Sequence, residues 1–254
     1  LILTVGVAPC FLINAGSFLA SIAALALMRP DELAPHPRSP RQRGQLRAGL
    51  SYVRANPALY VPLLMMAAVG TLAYEFNVSL PLFARYTFAG NAGTYGAMTA
   101  LMGAGAVVGG LLTAAAGPRA PTSLARMALL FGGLQVATAF APTLGLALAA
   151  MVLLGAASIA FLALGDATLP LSPTPEMRGR VMALWAMAFL GSTPVGGPII
   201  GWVGQHVNPR AALAVGGVAT LLSGLLAWRP LARAGSPGES PVVLPLPVEP
   251  GDPA

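Results

Sequence analysis

The sequence predicts an all-α, polytopic membrane protein with seven transmembrane helices, and three observations predict it. Charged residues make up 9% of the 254 residues and hydrophobic ones 56%, whereas soluble domains carry about 25% charged residues. Apolar stretches long enough to cross a bilayer, roughly 20 residues each, recur along the chain. The basic charge is all arginine and sits in short tufts between those stretches, which is the positive-inside pattern. The net charge of +6 does not point to nucleic acid, because the arginines are not gathered into one patch with interleaved aromatics.

The spans follow in order. The first covers Val5 to Met28 and stops at Arg29-Pro30. A polar linker to residue 59 opens with a proline-rich run that cannot be regular helix. It continues as an amphipathic segment, Arg41 to Asn56, with Leu46, Leu50 and Val53 at helical spacing. That segment reads as a helix on the membrane surface with its arginines toward anionic headgroups; a soluble linker helix is the alternative. Six further spans run from Tyr60 to Phe83, Tyr95 to Ala116, Leu124 to Phe140, Leu144 to Gly165, Val181 to Val207 and Ala211 to Trp228. Pro62 and Pro81 are expected to interrupt the first of these six. Residues 229–254 are rich in Pro, Gly and Ser and are expected to be a disordered tail.

The sixth of the seven spans is the most informative. Its charged entry, Glu176-Met-Arg178-Gly-Arg180, leads into an apolar run that contains Pro194, Gly196, Gly197 and Pro198. Proline removes a backbone donor and glycine weakens a helix, so a break is expected there, where neighbours or a cavity must take up the freed backbone groups. This suggests a transporter-type helix rather than a plain anchor.

Orientation follows from the arginines. If the linker is cytoplasmic and each span reverses the side, Arg85 and Arg210 alone of the 14 basic residues lie outside. The tail is then cytoplasmic. The chain begins at Leu1, without methionine or a signal-peptide pattern, so it is expected to be the C-terminal part of a longer protein. Arginine in place of lysine, with abundant Ala, Gly and Pro, fits a GC-rich bacterial gene.

A cytoplasmic linker followed by six spans and a cytoplasmic tail resembles the C-terminal half of a major facilitator superfamily transporter, helices 6–12 of twelve. The wording is similar to the bacterial drug and siderophore exporter branch, which includes enterobactin exporters and macrolide-efflux-like proteins. The stretches that carry this are FLINAGSF (11–18), LPLFAR (80–85), AGTYG (92–96) and EMRGRVM (176–182). Between the third and fourth spans, Gly110, Leu112, Gly117 and Arg119 match the spacing of the superfamily's cytoplasmic gating loop, with Ala114 where an acidic residue is usual. Gly197-Pro198-Ile199-Ile200-Gly201 resembles the core of the antiporter signature, an echo placed in the pseudo-symmetric helix. The resemblance implies a bacterial inner-membrane protein exporting amphipathic small molecules in exchange for protons. The lipid bilayer and the N-terminal helices of the same protein would be its partners, and it would need no cofactor.

Several residues are candidates for that chemistry. Glu75 lies mid-span between Tyr74 and Asn77, where an isolated carboxylate costs about 2.5 to 3.5 kcal/mol on insertion scales unless neutralised or facing water. It is a candidate for proton coupling, or else a carboxylate hydrogen-bonded inside the bundle. Asp166 is expected to close a gate by pairing with Arg178 or Arg180, near Glu176; an ordinary interfacial role is the alternative. Tyr74, Asn77, Gln135 and Trp185 are candidates for the substrate cavity, although interhelical hydrogen bonding is the commoner fate of such polar groups. Gly105 and Gly109 are expected to let two helices approach closely.

No enzyme is expected. There is no nucleophile–base pair and no carboxylate pair at short spacing. The single cysteine, Cys10, and the distant His36 and His206 supply no metal-ligand spacing. A membrane scaffold that binds lipid or partners without transporting is the competing reading.

Overall fold

The computed structural model describes residues 7–28, 45–117, 122–168, 175–189, 191 and 193–234. The chain divides into two units, Leu1–Arg41 and Gln42–Ala254. The first holds helix α1, Val7–Ala26. This helix is apolar apart from Asn14 and two serines, whose hydroxyls donate back to carbonyls one turn earlier: Ser17 to Asn14 at 2.7 Å and Ser21 to Ser17 at 2.9 Å. Back-bonding of this kind is how a serine is tolerated in an apolar helix.

The second unit is an all-helical bundle. Its helices are α2 (Gln45–Ala55), α3 (Pro57–Leu72), α4 (Phe76–Leu82), α5 (Ala92–Ala115), α6 (Thr122–Ala139), α7 (Leu144–Thr168), α8 (Pro175–Phe189), α9 (Thr193–His206) and α10 (Pro209–Ala234). A π-helical turn, Phe83–Thr87, extends α4.

Five segments are long and apolar enough to cross a membrane: Leu59–Thr87, Ala92–Ala115, Leu144–Ala167, Gly179–His206 and Pro209–Arg233. The other two of the seven expected spans fall short by the same measure. The apolar run of α1 is the shorter Phe11–Ala26, and α6 has only 18 residues, with Arg126 and Gln135 among them lowering its hydropathy.

The pairings that build the bundle are α5 with α7, α6 with α10, α6 with α7, and α3 with α10. The α5–α7 crossing explains three glycines. A Cβ on Gly105 would overlap the Val152 carbonyl oxygen and one on Gly109 the Ala156 carbonyl; from the other side, Gly155 lies equally close to the Met102 carbonyl. The backbones therefore touch with no side chain between them, as the spacing of Gly105 and Gly109 predicted. Phe131 of α6 and Phe161 of α7, both fully buried, centre the apolar core.

Three sequence expectations are corrected. Pro62 and Pro81 do not interrupt their span: both lie inside helices, and the chain leaves the helix between them, at residues 73–75. Pro194 and Pro198 likewise lie within the continuous α9, and the interruption comes just before it, around Gly191. A proline removes one donor, which a helix can absorb, most easily in the first turn where Pro194 sits. The third concerns the tail, because α10 continues past Trp228 to Ala234. Residues 235–254 and the linker before residue 45 lie outside the described residues.

Helix α2 also differs from a pure surface helix. Val53 and Gly49 are buried, and a Cβ on Gly49 would come within 3.3 Å of Arg180 Cβ and 3.5 Å of Leu184 Cδ1. One face of α2 thus docks on α8, leaving Arg47, Leu50 and Arg54 exposed.

At the far end of α4 the π turn closes against Ala89, a non-glycine residue at φ 50°, and Asn91 then starts α5. The Asn91 side chain accepts from the Gly93 and Thr94 amides at 2.9 and 3.2 Å, while Thr94 Oγ1 accepts from the Asn91 amide, a reciprocal capping box. Arg210 of α10 ties this end together. Its Nη1 donates to the Ala139 and Ala141 carbonyls, each at 2.8 Å, satisfying the end of α6. Its guanidinium also lies 5.9 Å from the Phe83 ring centroid and 5.6 Å from that of Phe88. Nothing local in the chain announced this role beyond the exception Arg210 makes to the charge bias.

Candidate functional site

The site is where the two interrupted spans meet. After α3 the amides of Ala73 and Tyr74 both turn back to the Val69 carbonyl, at 2.8 and 3.3 Å, and the helical ladder stops. Glu75 follows with φ −79° and ψ 42°, and its own carbonyl receives the amides of Val78 and Ser79 to restart the chain as α4. Carbonyls freed by such a break must find protein partners where water is absent. Gln135 of α6 provides one, its Nε2 donating to the Ala73 oxygen at 3.1 Å. The amide lies against Gly216 of α10, where a Cβ would stand 2.7 Å from Nε2. The other end of that side chain, Oε1, is buried without a hydrogen-bond partner.

Glu75 itself is 5% exposed. Its carboxylate packs on the first turns of α9. Oε1 would be 2.9 Å from a Cβ on Gly196 and Oε2 3.6 Å from one on Gly197. A Cβ on Gly196 would also overlap the Thr71 carbonyl, so only glycine lets α9 lie this close to the break. The Thr193 hydroxyl hydrogen-bonds the carboxylate. Further along, Gly201 faces Val78 and Gly204 faces Leu82. The Gly-Pro-x-x-Gly run is therefore the surface on which α4 rests, with exposed Pro198 on another face of α9.

Tyr74, next to Glu75, is half-buried and donates to the Ser158 carbonyl of α7 at 2.6 Å. Its ring meets Phe189 edge-on at 4.9 Å and Phe131 at 5.4 Å. Phe189 is the last residue of α8 and stacks on Trp185, with centroids 6.5 Å apart and planes 13° from parallel. Trp185 is 5% exposed, and its ring edge enters the notch at Gly165, where a Cβ would be 2.6 Å from Cη2. Its Nε1 donates to Asp166 Oδ1 at 2.8 Å.

The structure thus joins Glu75, Tyr74, Gln135, Trp185, Asp166, Gly197 and Gly201 in one region, and places others elsewhere. Asp166 has the Trp185 indole as its partner rather than the expected arginine at position 180, for Arg180 Nη1 turns to Met177 Sδ at 3.5 Å. The side chains of Glu176 and Arg178, and all of Arg119, lie outside the described residues. Asn77 is exposed on the outer face of α4, and Pro194 is exposed on α9. Gly110 sits on α5 facing Ile159, and Gly117 follows that helix at φ +66°, a left-handed ending that suits glycine. Sequence reasoning missed Thr193 and Gly196 as partners of Glu75; the wording TPVGG held the signal, glycines at the start of a helix that follows an interruption.

Apolar helices of bilayer-crossing length, two of them interrupted opposite each other around a buried carboxylate, define a multi-pass membrane transporter. The chain belongs to the transmembrane secretion effector family of the major facilitator superfamily, which it matches over residues 1–239. That is a family of membrane transporters, not of enzymes. Comparison with curated proteins and with solved structures gave no match.

Proposed function

We propose that this chain is the C-terminal portion of a proton-coupled exporter of amphipathic small molecules, such as drugs or siderophores, working by alternating access in a bacterial inner membrane. Seven crossings, with linker and tail on the cytoplasmic side, keep twelve of the 14 arginines inside. The observation that carries the reading is Glu75. It is buried where two spans are interrupted, its carboxylate oxygens pack against Gly196 and Gly197 of the opposing half-span, and the Thr193 hydroxyl of that half-span hydrogen-bonds it. Intramembrane ionisable groups are costly and mark function. In this reading its proton moves on and off as α9 shifts against it.

The experiment uses the full-length protein in liposomes, with ethidium and a panel of amphipathic dyes as cargo. Export should follow an imposed pH gradient and fall at least tenfold in Glu75→Gln. Gradient-driven export that is unchanged in Glu75→Gln would remove Glu75 from the mechanism. One observation favours a non-transporting scaffold: exposed Ala114 stands where the superfamily's gating loop carries an acid. Failure of every dye to move under the gradient would decide for it.

A further inference from the structure

Asp166 accepts from the Trp185 indole, while Arg180 turns to Met177, and the carboxylate–indole contact leads toward Glu75 by two routes. Trp185 is fixed on three sides. Asp166 Oδ1 accepts from its indole N–H at 2.8 Å, the ring edge fills the Gly165 notch with Met66 on the same spot, and the ring face stacks on Phe189. Phe189 in turn sits on Gly70 of α3, where a Cβ would meet its Cδ2 at 3.0 Å and its carbonyl oxygen at 3.1 Å. The first route runs from Phe189 to the ring of Tyr74, adjacent to Glu75, at 4.9 Å. The second runs along the chain: Phe189 ends α8, and Thr193, the hydrogen-bond partner of the Glu75 carboxylate, begins α9 only four residues on. At its opposite end α8 carries Arg180 and Leu184 against Gly49 of α2. Helix α8 is thus a short lever, held by the linker helix at one end and by the Glu75 break at the other, with Trp185 as its pin.

We propose that Trp185, anchored by Asp166, is a positioning residue for Glu75: it sets where α8 ends and therefore whether Thr193 reaches the carboxylate. The proposal rests on the coupling role given to Glu75 above. Among the described residues the carboxylate faces α9, at Gly196, Gly197 and the Thr193 hydroxyl. The neutral Gln135 amide of α6 and the Gly216 backbone of α10 lie beside it at the break, on the Ala73 backbone. The other carboxylate of the region is Asp166, held by the Trp185 indole, and the described cation of α8 is Arg180, whose Nη1 turns to Met177 Sδ.

Full-length protein in liposomes, with ethidium as the probe, provides the first test, reading export rate against pH. Trp185→Phe keeps the ring stack and loses the donor, and Asp166→Leu loses the acceptor. Both are expected to move the pH midpoint in the same direction, and the double variant by no more than either alone. Asp166→Asn, which keeps an oxygen for the indole N–H, is expected to stay at the wild-type midpoint. A uniform drop in rate with an unmoved midpoint in Trp185→Phe would overturn the proposal, because a merely structural residue behaves that way. The second test does not depend on transport. With every other tryptophan of the full-length protein, Trp202 and Trp228 among them, replaced by phenylalanine, the Trp185 emission maximum is expected to shift when Glu75→Gln is added. An unchanged emission overturns the link between the two residues, whereas a flat Glu75→Gln result in the export assay counts against the coupling reading alone.

Discussion

The α5–α7 pair and the junction of α3–α4 with α8–α9 are both built on glycine, and they use it for opposite ends. At the first, Gly105, Gly109 and Gly155 bring two uninterrupted helices into backbone contact, and every ladder hydrogen bond stays inside its own helix. At the second, Gly196 and Gly197 admit a carboxylate and an interrupted backbone whose carbonyls depend on other segments. Close packing of complete helices gains dispersion and leaves nothing unsatisfied, so the first pair has one arrangement. Close packing around a break leaves polar groups whose partners can be exchanged, so the second can have two.

Substitutions at the tight pair should break the comparison most sharply. Gly155→Leu drives a side chain into the Met102 carbonyl, with no flexible neighbour to give way, and is expected to cost 3 kcal/mol or more, roughly the upper end of overpacking penalties. Loss of the monodisperse peak in detergent gel filtration would register it, and a wild-type profile would show that the α5–α7 contact does not hold the bundle. At the junction, Gln135→Leu removes the donor to the Ala73 carbonyl and is expected to cost about 0.6 to 2 kcal/mol, the range of interhelical hydrogen bonds in membranes. Thermal unfolding followed by helical circular dichroism reads that difference. The smallest effect belongs to Gly103→Ala on the open face of α5. Nothing lies within 4 Å of the added methyl, and the helix is expected to gain up to about 1 kcal/mol from the lost backbone freedom. A destabilised Gly103→Ala would mean that this face is occupied.

The sequence made the helices legible because length and apolarity are local properties, and most begin and end within a few residues of where hydropathy placed them, although five rather than seven segments are long and apolar enough to cross a membrane. Gly105 and Gly109 were legible for the same reason, since a four-residue spacing puts both on one helix face. The positions of the breaks were not. Pro62, Pro81, Pro194 and Pro198 drew attention because proline is a local signal, yet Pro194 sits in a first turn where no ladder bond is lost, and each of the others is absorbed at the loss of one. The real interruption at residues 73–75 is fixed by groups distant in sequence: Gln135, 62 residues on from Ala73, Gly216 and Gly196. Glu75 could be singled out from its depth alone, but its partner Thr193 could not. Asp166 was matched to Arg178 or Arg180 because charge attracts charge; the fold also brings the indole of Trp185 to it, which no local signal announced, since Gly165 leaves the opening through which the ring passes.

The π turn at Phe83–Thr87 has a consequence for the opposite end of the bundle. Hydrogen bonds to the fifth residue rather than the fourth widen the coil, which brings two phenyl rings five positions apart, Phe83 and Phe88, into edge-to-face contact at 5.2 Å. Together they form an aromatic seat beneath the guanidinium that holds the end of α6. Deleting one residue from that coil would do more than shorten it: one ring would swing out from beneath the cation, and a helix terminus more than fifty positions downstream would lose its mooring.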